Sequence, residues 1–165
     1  MDQPTRLHHS FDPQKKLVPA SEPAWKDLID RWYQLDETSF ALCEAAFGWQ
    51  QLNLLKKFDE LIFLSPGGSN LADADFVAMT PASPSKFVYT LANIAPSVLC
   101  HLLRWSGPVY CYCPGNLTEQ QETLRGALQI AQAKAKRSHT VTFIIEAIPY
   151  LNANGYRDVN GYFVY

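Results

Sequence analysis

The stretch Val109-Tyr-Cys-Tyr-Cys113, Pro114-Gly-Asn-Leu-Thr118, Glu119-Gln-Gln-Glu122 reads as strand, turn and helix in direct succession. The first part is made of β-favouring residues, and Pro-Gly punctuates its end. Thr118 stands where a helix N-cap belongs, and the acidic residues after it suit the positive end of a helix dipole. Leu124, Leu128 and Ala131 then recur at helical spacing, and Lys134, Lys136 and Arg137 close the helix with cations suited to its negative end. Working outward, Thr140-Val-Thr-Phe-Ile-Ile-Glu146 is the clearest strand, and Glu60-Leu-Ile-Phe-Leu64 is a short buried one. Strands that alternate with helices predict an α/β domain, a mixed sheet flanked by helices. A last pair, Tyr156 to Val159 and Tyr162 to Tyr165, is predicted to form a hairpin through Asn160-Gly161.

Before this part the pattern is helical. Ser21-Glu-Pro-Ala predicts a helix start with Ser21 as cap and Pro23 in the first turn, followed by the apolar stripe Trp25, Leu28, Ile29 and Trp32. A second helix is predicted from Glu37 to Leu54, with Phe40, Cys43, Ala46, Phe47 and Trp49 on its apolar side. A third, from Ser85 to Arg104, follows Phe87, Leu91, Ile94, Val98 and Leu102, with Pro96 predicting a kink or break near Ala92 to Ala95. Residues 1–21 carry charge, Pro and His without hydrophobic period and are expected to form a flexible arm, leaving 22–165 as the one domain.

Composition narrows the function. At 165 residues and 47% hydrophobic the chain can bury one sizeable core. A net charge of -2 gives no reason to expect nucleic acid as a partner. Met1 to Ser21 lacks a signal-peptide core, and the apolar region Phe87 to Leu103 is broken by Asn93, Pro96, Ser97 and His101, so no membrane span and a cytoplasmic location are expected. The four cysteines, Cys43, Cys100, Cys111 and Cys113, have no CxxC spacing and are read as buried thiols, with no metal site and no cofactor. The loop Ser65-Pro-Gly-Gly-Ser-Asn70 lacks phosphate-loop spacing and is read as a turn, and Asp73 and Asp75 lack metal-ligand spacing.

A family resemblance adds to this reading. Ala82-Ser-Pro84, Phe87, Asn93 in an Asn-Ile-Ala helix, and Gly107-Pro108 before a strand resemble the N-terminal half of β-ketoacyl synthases of the thiolase fold. The match covers about Glu60 to Tyr165 and looks closest to stand-alone ketosynthase-like N-terminal domains beside polyketide or aryl-polyene type fatty-acid synthesis. In that family the strand after Gly-Pro leads to a nucleophilic cysteine at a helix N-terminus, where amides and dipole favour thiolate and oxyanion. Counted from Gly107 without a gap, that position is Asn116, and an amide offers no thiolate. Cys113 lies three residues earlier, still within the predicted strand.

The resemblance also implies histidines from a C-terminal half, which His8, His9, His101 and His139 do not replace. His101 adjoins Cys100 on a helix, where neighbours do not face one another. Glu146 ends a strand where the family tends to place an acidic residue, and is read as hydrogen-bonded to a loop.

No catalytic residue is therefore expected. The chain is read as a non-catalytic partner or scaffold, associating with itself, with a ketosynthase or with an acyl carrier protein. The resemblance places Asn93, Val109, Tyr110, Cys111 and Tyr112 at a subunit interface. Two alternatives stand beside it: a small acyl-transfer enzyme using Cys113, and a module binding a pantetheine or acyl ligand at Ser65 to Asn70.

Overall fold

The computed structural model describes residues 3–14, 22–65, 74, 76–78, 88, 91 and 93–165. Among the described residues the strands and α-helices follow in the order β1 (Thr5–Phe11), α1 (Glu37–Gln51), β2 (Glu60–Leu64), α2 (Ile94–Leu103), β3 (Val109–Tyr112), α3 (Leu117–Ser138), β4 (Thr142–Leu151) and β5 (Arg157–Val164). The strands form a five-stranded sheet in the order β1-β5-β4-β2-β3. β2 runs parallel to β3 and β4, while β5 runs antiparallel to β4 and β1. The sheet is mixed and flanked by helices, as the sequence pattern predicts.

Strand alternation sorts the core into two layers. Leu61, Phe63, Phe143, Ile145, Val159 and Phe163 point to the side covered by α1 and α2. Ile62, Leu64, Ile144, Tyr162 and Val164 point to the other side, where Ala127 and Ala131 of α3 meet them. β2 is buried at every position, which is why it reads as an unbroken apolar run. Phe143 stacks on Phe163 at 4.5 Å between ring centroids, and Trp49 of α1 meets Phe143 edge-on.

Several expectations need correction. Within the arm expected over residues 1–21, Thr5–Phe11 form β1, paired along its length with β5. Leu7 and Phe11 are buried while Arg6, His8 and Ser10 are exposed, so a strand anchored by two apolar side chains showed no apolar period. Residues 15–21 lie outside the described residues.

The helix expected after Ser21 is replaced by two short 3₁₀ turns, Lys26–Leu28 and Trp32–Gln34, between which Arg31 adopts the left-handed conformation. The stripe still packs: Trp25 and Ile29 are buried, and Leu28 and Trp32 lie against the same core. Trp25 donates its indole N–H to Glu44 at 2.7 Å, a bond that fixes the segment on α1 without helical geometry. α1 ends at Gln51, and its connection places Asn53 at positive φ.

α2 begins only at Ile94, so Pro96 sits in the first turn, where a missing N–H costs nothing, and the expected kink becomes a helix start. Most of the preceding stretch, including Ala82 to Phe87, lies outside the described residues.

Asn160-Gly161 is not a turn. Both residues lie inside β5, and the hairpin joins β4 to β5 through Asn152 to Tyr156, with Gly155 at φ +78. Gly161 is required by packing, because a Cβ there would lie 2.9 Å from the Phe143 ring and 3.1 Å from Trp49. A Gly161→Ala variant is therefore expected to lose about 1–3 kcal/mol of stability by overpacking. Gly126→Ala on α3, where the added carbon meets nothing within 4 Å, is expected to gain up to about 1 kcal/mol from helix propensity. Urea denaturation of both variants checks the opposite signs.

Candidate functional site

β3 delivers the chain to the N-terminus of α3, the place where the resemblance puts a nucleophile. Asn116 is the N-cap, with extended backbone at φ -154 and ψ 176. Its side-chain oxygen accepts the Glu119 N–H at 3.0 Å, and its Nδ2 donates to Glu119 Oε1 at 2.9 Å. Glu119 Oε2 in turn accepts the Gly115 N–H at 2.8 Å. This reciprocal cap satisfies two main-chain amides with groups from the chain itself and sets a carboxylate at the positive end of the helix. The Gly115 and Glu119 amides thus already have oxygen partners, where an oxyanion site needs free donors. The cap falls on Asn116 rather than on Thr118, because Glu119 stands three residues on and closes the box.

Cys113, expected within the strand, lies just past the end of β3, which closes at Tyr112, and is exposed. Desolvation pushes its thiol above the ordinary cysteine value, the opposite of what an activated nucleophile needs. Cys111 is raised by desolvation and then by Cys113, and Cys100 by desolvation and then by Cys111. The expectation of buried thiols holds for Cys43 on α1 and fails for Cys111 and Cys113, because β3 is an edge strand. His101 is exposed on α2, and His139 is the left-handed C-cap of α3. Among the described residues no group of three or more His, Cys, Asp or Glu is placed to hold a metal ion. Pro66 to Asn70, most of the predicted glycine turn, and Asp73 and Asp75 lie outside those residues.

Glu146 is buried in β4 and accepts three hydrogen bonds: from Gln120 of α3 at 2.8 Å, from Asn160 at 2.9 Å and from the Tyr162 hydroxyl at 2.8 Å. Its partners are a helix and a neighbouring strand rather than a loop. Burial, and then the Glu146 charge, drive the Tyr162 hydroxyl upward, so it stays a donor. With Nδ2 committed to Glu146, Asn160 turns its oxygen to Arg6 Nη2 at 3.2 Å and His8 Nδ1 at 2.9 Å on β1. The network escaped the sequence reading because Asn160 was taken for a turn residue.

The exposed edge is the second feature. Val109, Tyr110 and Tyr112 are 37%, 42% and 42% exposed, and among the described residues no strand pairs with β3 on its outer side. Val109 and Cys111 face the α2 side, where they border a groove of about 500 Å³ together with Asn93, Ser97, Cys100 and Trp105. Tyr110 and Tyr112 face the α3 side, with the Lys134 ammonium 5.0 Å from the Tyr110 ring centroid. The five predicted interface residues are thus gathered along one margin of the domain. Gly107 owes its place to Trp105, whose ring occupies the position a Cβ would take, and Trp105 is itself packed on Phe58 at 4.4 Å.

No protein-family model and no curated protein matches the sequence. Solved structures do match in fold. The α/β sheet and its helices resemble the N-terminal half of the thiolase fold. A chain of the structure described as a ketosynthase (ApeO) in complex with its chain length factor (ApeC), from Xenorhabdus doucetiae, superposes with a TM-score of 0.59 at 12% sequence identity. The match covers 98% of this chain and 77% of that one. Among the described residues no helix is long and apolar enough to cross a membrane.

Asn116→Ala is expected to cost about 1 kcal/mol, the worth of an N-cap, while Asn116→Ser, which keeps an accepting oxygen without setting a second carboxylate against Glu119, costs less; thermal melts separate the two. Because its thiol is raised, Cys113 is expected to react with iodoacetamide at pH 7.5 more slowly than free cysteine and to speed up as the pH rises. Peptide mass spectrometry over a time course reads this rate, and faster labelling than free cysteine would favour the acyl-transfer alternative.

Proposed function

We propose that this chain is a non-catalytic ketosynthase-like protein that acts by association in polyketide or aryl-polyene type fatty-acid synthesis. The observation that carries the reading is the closed helix cap at Asn116, which occupies the expected nucleophile position with a residue committed to structure. The fold likeness to a ketosynthase and chain length factor assembly supports it. So does the exposed edge strand, four uncharged residues between Pro108 and Pro114 whose valine and tyrosines are left for a partner to cover.

The partner meets the margin formed by β3 and α2, through Asn93, Val109, Tyr110, Cys111 and Tyr112. The outer face of α3 is a poorer candidate. Glu122, Arg125, Gln129 and Lys136 are exposed there, a composition suited to water rather than to a second packed layer. The occupants in view are a second copy, a ketosynthase, and an acyl carrier protein bound through such an assembly.

Light scattering on a sizing column, with and without a ketosynthase and an acyl carrier protein, tests the reading. Association is expected with at least one of them or with a second copy. Val109→Lys, which sets a charge on the edge, is expected to weaken that association at least ten-fold while leaving the melting temperature of the unassociated chain, read at a concentration too low for association, within about 2 °C. A monomer that ignores every partner, or acyl transfer by the purified protein, would sink the proposal.

A further inference from the structure

We propose that the end of the domain where the parallel strands begin is a lipid-docking surface. Leu52 and Leu54 enter the headgroup boundary of an anionic membrane there, while Lys56, Lys57, Lys136 and Arg137 meet its headgroups. Three connections converge at this end. The chain leading from α1 to β2 is joined to the chain leading from α3 to β4 by two bonds: the Asp59 N–H donates to the Val141 carbonyl at 2.8 Å, and the Val141 N–H donates to the Asp59 carboxylate at 2.8 Å. Phe58 packs on Trp105 at 4.4 Å, which brings in the chain between α2 and β3. Glu60 and Thr142, the first residues of β2 and β4, stand opposite one another just inside.

Charge is the first observation. Lys56, Lys57, Lys136 and Arg137 are all exposed. Lys134 is committed to Glu60 at 2.7 Å, and Arg104 shares a recess with Asp27, so neither is counted with them. The acidic groups gather at the other end: Glu119 and Glu122 open α3, and Asp36 and Glu37 open α1, where Glu37 reaches Arg157 at the start of β5. A net charge of -2 therefore conceals a basic pole and an acidic one.

The helix dipole accounts for cations at the end of α3, but not for leucines held in water beside them. Leu52 is 69% exposed and Leu54 40%, on either side of Asn53, whose positive φ follows the end of α1. Leu55, next along, packs against the core. Lys56 donates its ammonium to the Asn53 carbonyl at 3.2 Å, so a cation sits on the leucine loop itself. Apolar side chains on a loop flanked by lysines match the boundary of an anionic bilayer: the acyl region takes the leucines and the headgroups take the cations. The chain then lies on the membrane without spanning it. An acidic protein is the poorer occupant, because a stable protein interface buries about 800 Å² on each side, and two leucines on a loop supply a small part of that. This surface is separate from the β3 margin and does not rest on the association reading.

Co-sedimentation of the full chain with vesicles tests the proposal. Vesicles of equal parts phosphatidylcholine and phosphatidylglycerol are expected to bind it about ten-fold or more tightly than phosphatidylcholine alone, and salt is expected to weaken the binding. The Lys56→Gln, Lys57→Gln pair and the Lys136→Gln, Arg137→Gln pair are each expected to weaken it about ten-fold. The Leu52→Ser, Leu54→Ser pair is expected to cost about ten-fold as well, at low and at high salt alike, because the lost contact is apolar. These side chains are exposed, so each variant is expected to melt within about 2 °C of the parent chain. Failure to bind, equal binding to neutral vesicles, or charge variants that bind like the parent overturn the proposal. Leucine variants that bind undiminished overturn it too, since adsorption by charge alone needs no inserted side chain. An acidic protein such as an acyl carrier protein, held through the same lysines while vesicles are ignored, assigns the surface to a protein and overturns it equally.

Discussion

The arrangement turns on one buried carboxylate. Glu146 takes hydrogen bonds from α3 and from two residues of β5, and through Asn160 its influence reaches β1 at the far edge of the sheet. A buried carboxylate deprived of such donors carries a penalty of several kcal/mol, so the elements that supply them are held in register by the cost of leaving. Gln120 is the helix's contribution, and it lies one turn from the Asn116 cap. The clamp therefore positions the start of α3, and with it the turn that follows β3.

A second buried carboxylate works at the opposite end of α3. Glu60, at the start of β2, accepts from Lys134 at 2.7 Å and from the Thr142 hydroxyl at 2.8 Å. α3 is thus tied to the sheet near both ends by polar contacts, with Ala127 and Ala131 in close apolar contact between them. Small residues let the helix approach closely, and the polar anchors fix where along the strands it rests. The same Lys134 reaches the Tyr110 ring, which links the anchoring of α3 to the shape of the exposed edge.

What was legible in the sequence was what local periodicity encodes. β2, α1, α3 and β4 announced themselves because each buries a regular set of apolar side chains, and their alternation sufficed for the fold class. β1 was hidden because Leu7 and Phe11 are its only apolar anchors, four residues apart. The turns around Trp25 and Trp32 imitated a helix because their large side chains reach one core from a backbone that is not helical. At Asn160-Gly161 a strong turn signal yielded to packing: the missing Cβ makes room for Phe143 and Trp49, and the amide serves Glu146. The cap on Asn116 was readable from Glu119 three residues later, but Thr118 drew the assignment. The expected interface residues came from the resemblance; nothing in their own pattern distinguishes an edge strand from an inner one.

The open flank of β3 has a thermodynamic side. A group that binds the folded chain and not the unfolded one adds its binding free energy to folding by mass action. Whatever covers that flank therefore becomes part of what keeps the domain folded, and its share grows with concentration. Under the proposed association the stability of this protein is not a property of one molecule: it depends on how many others, and of what kind, are present in the same volume.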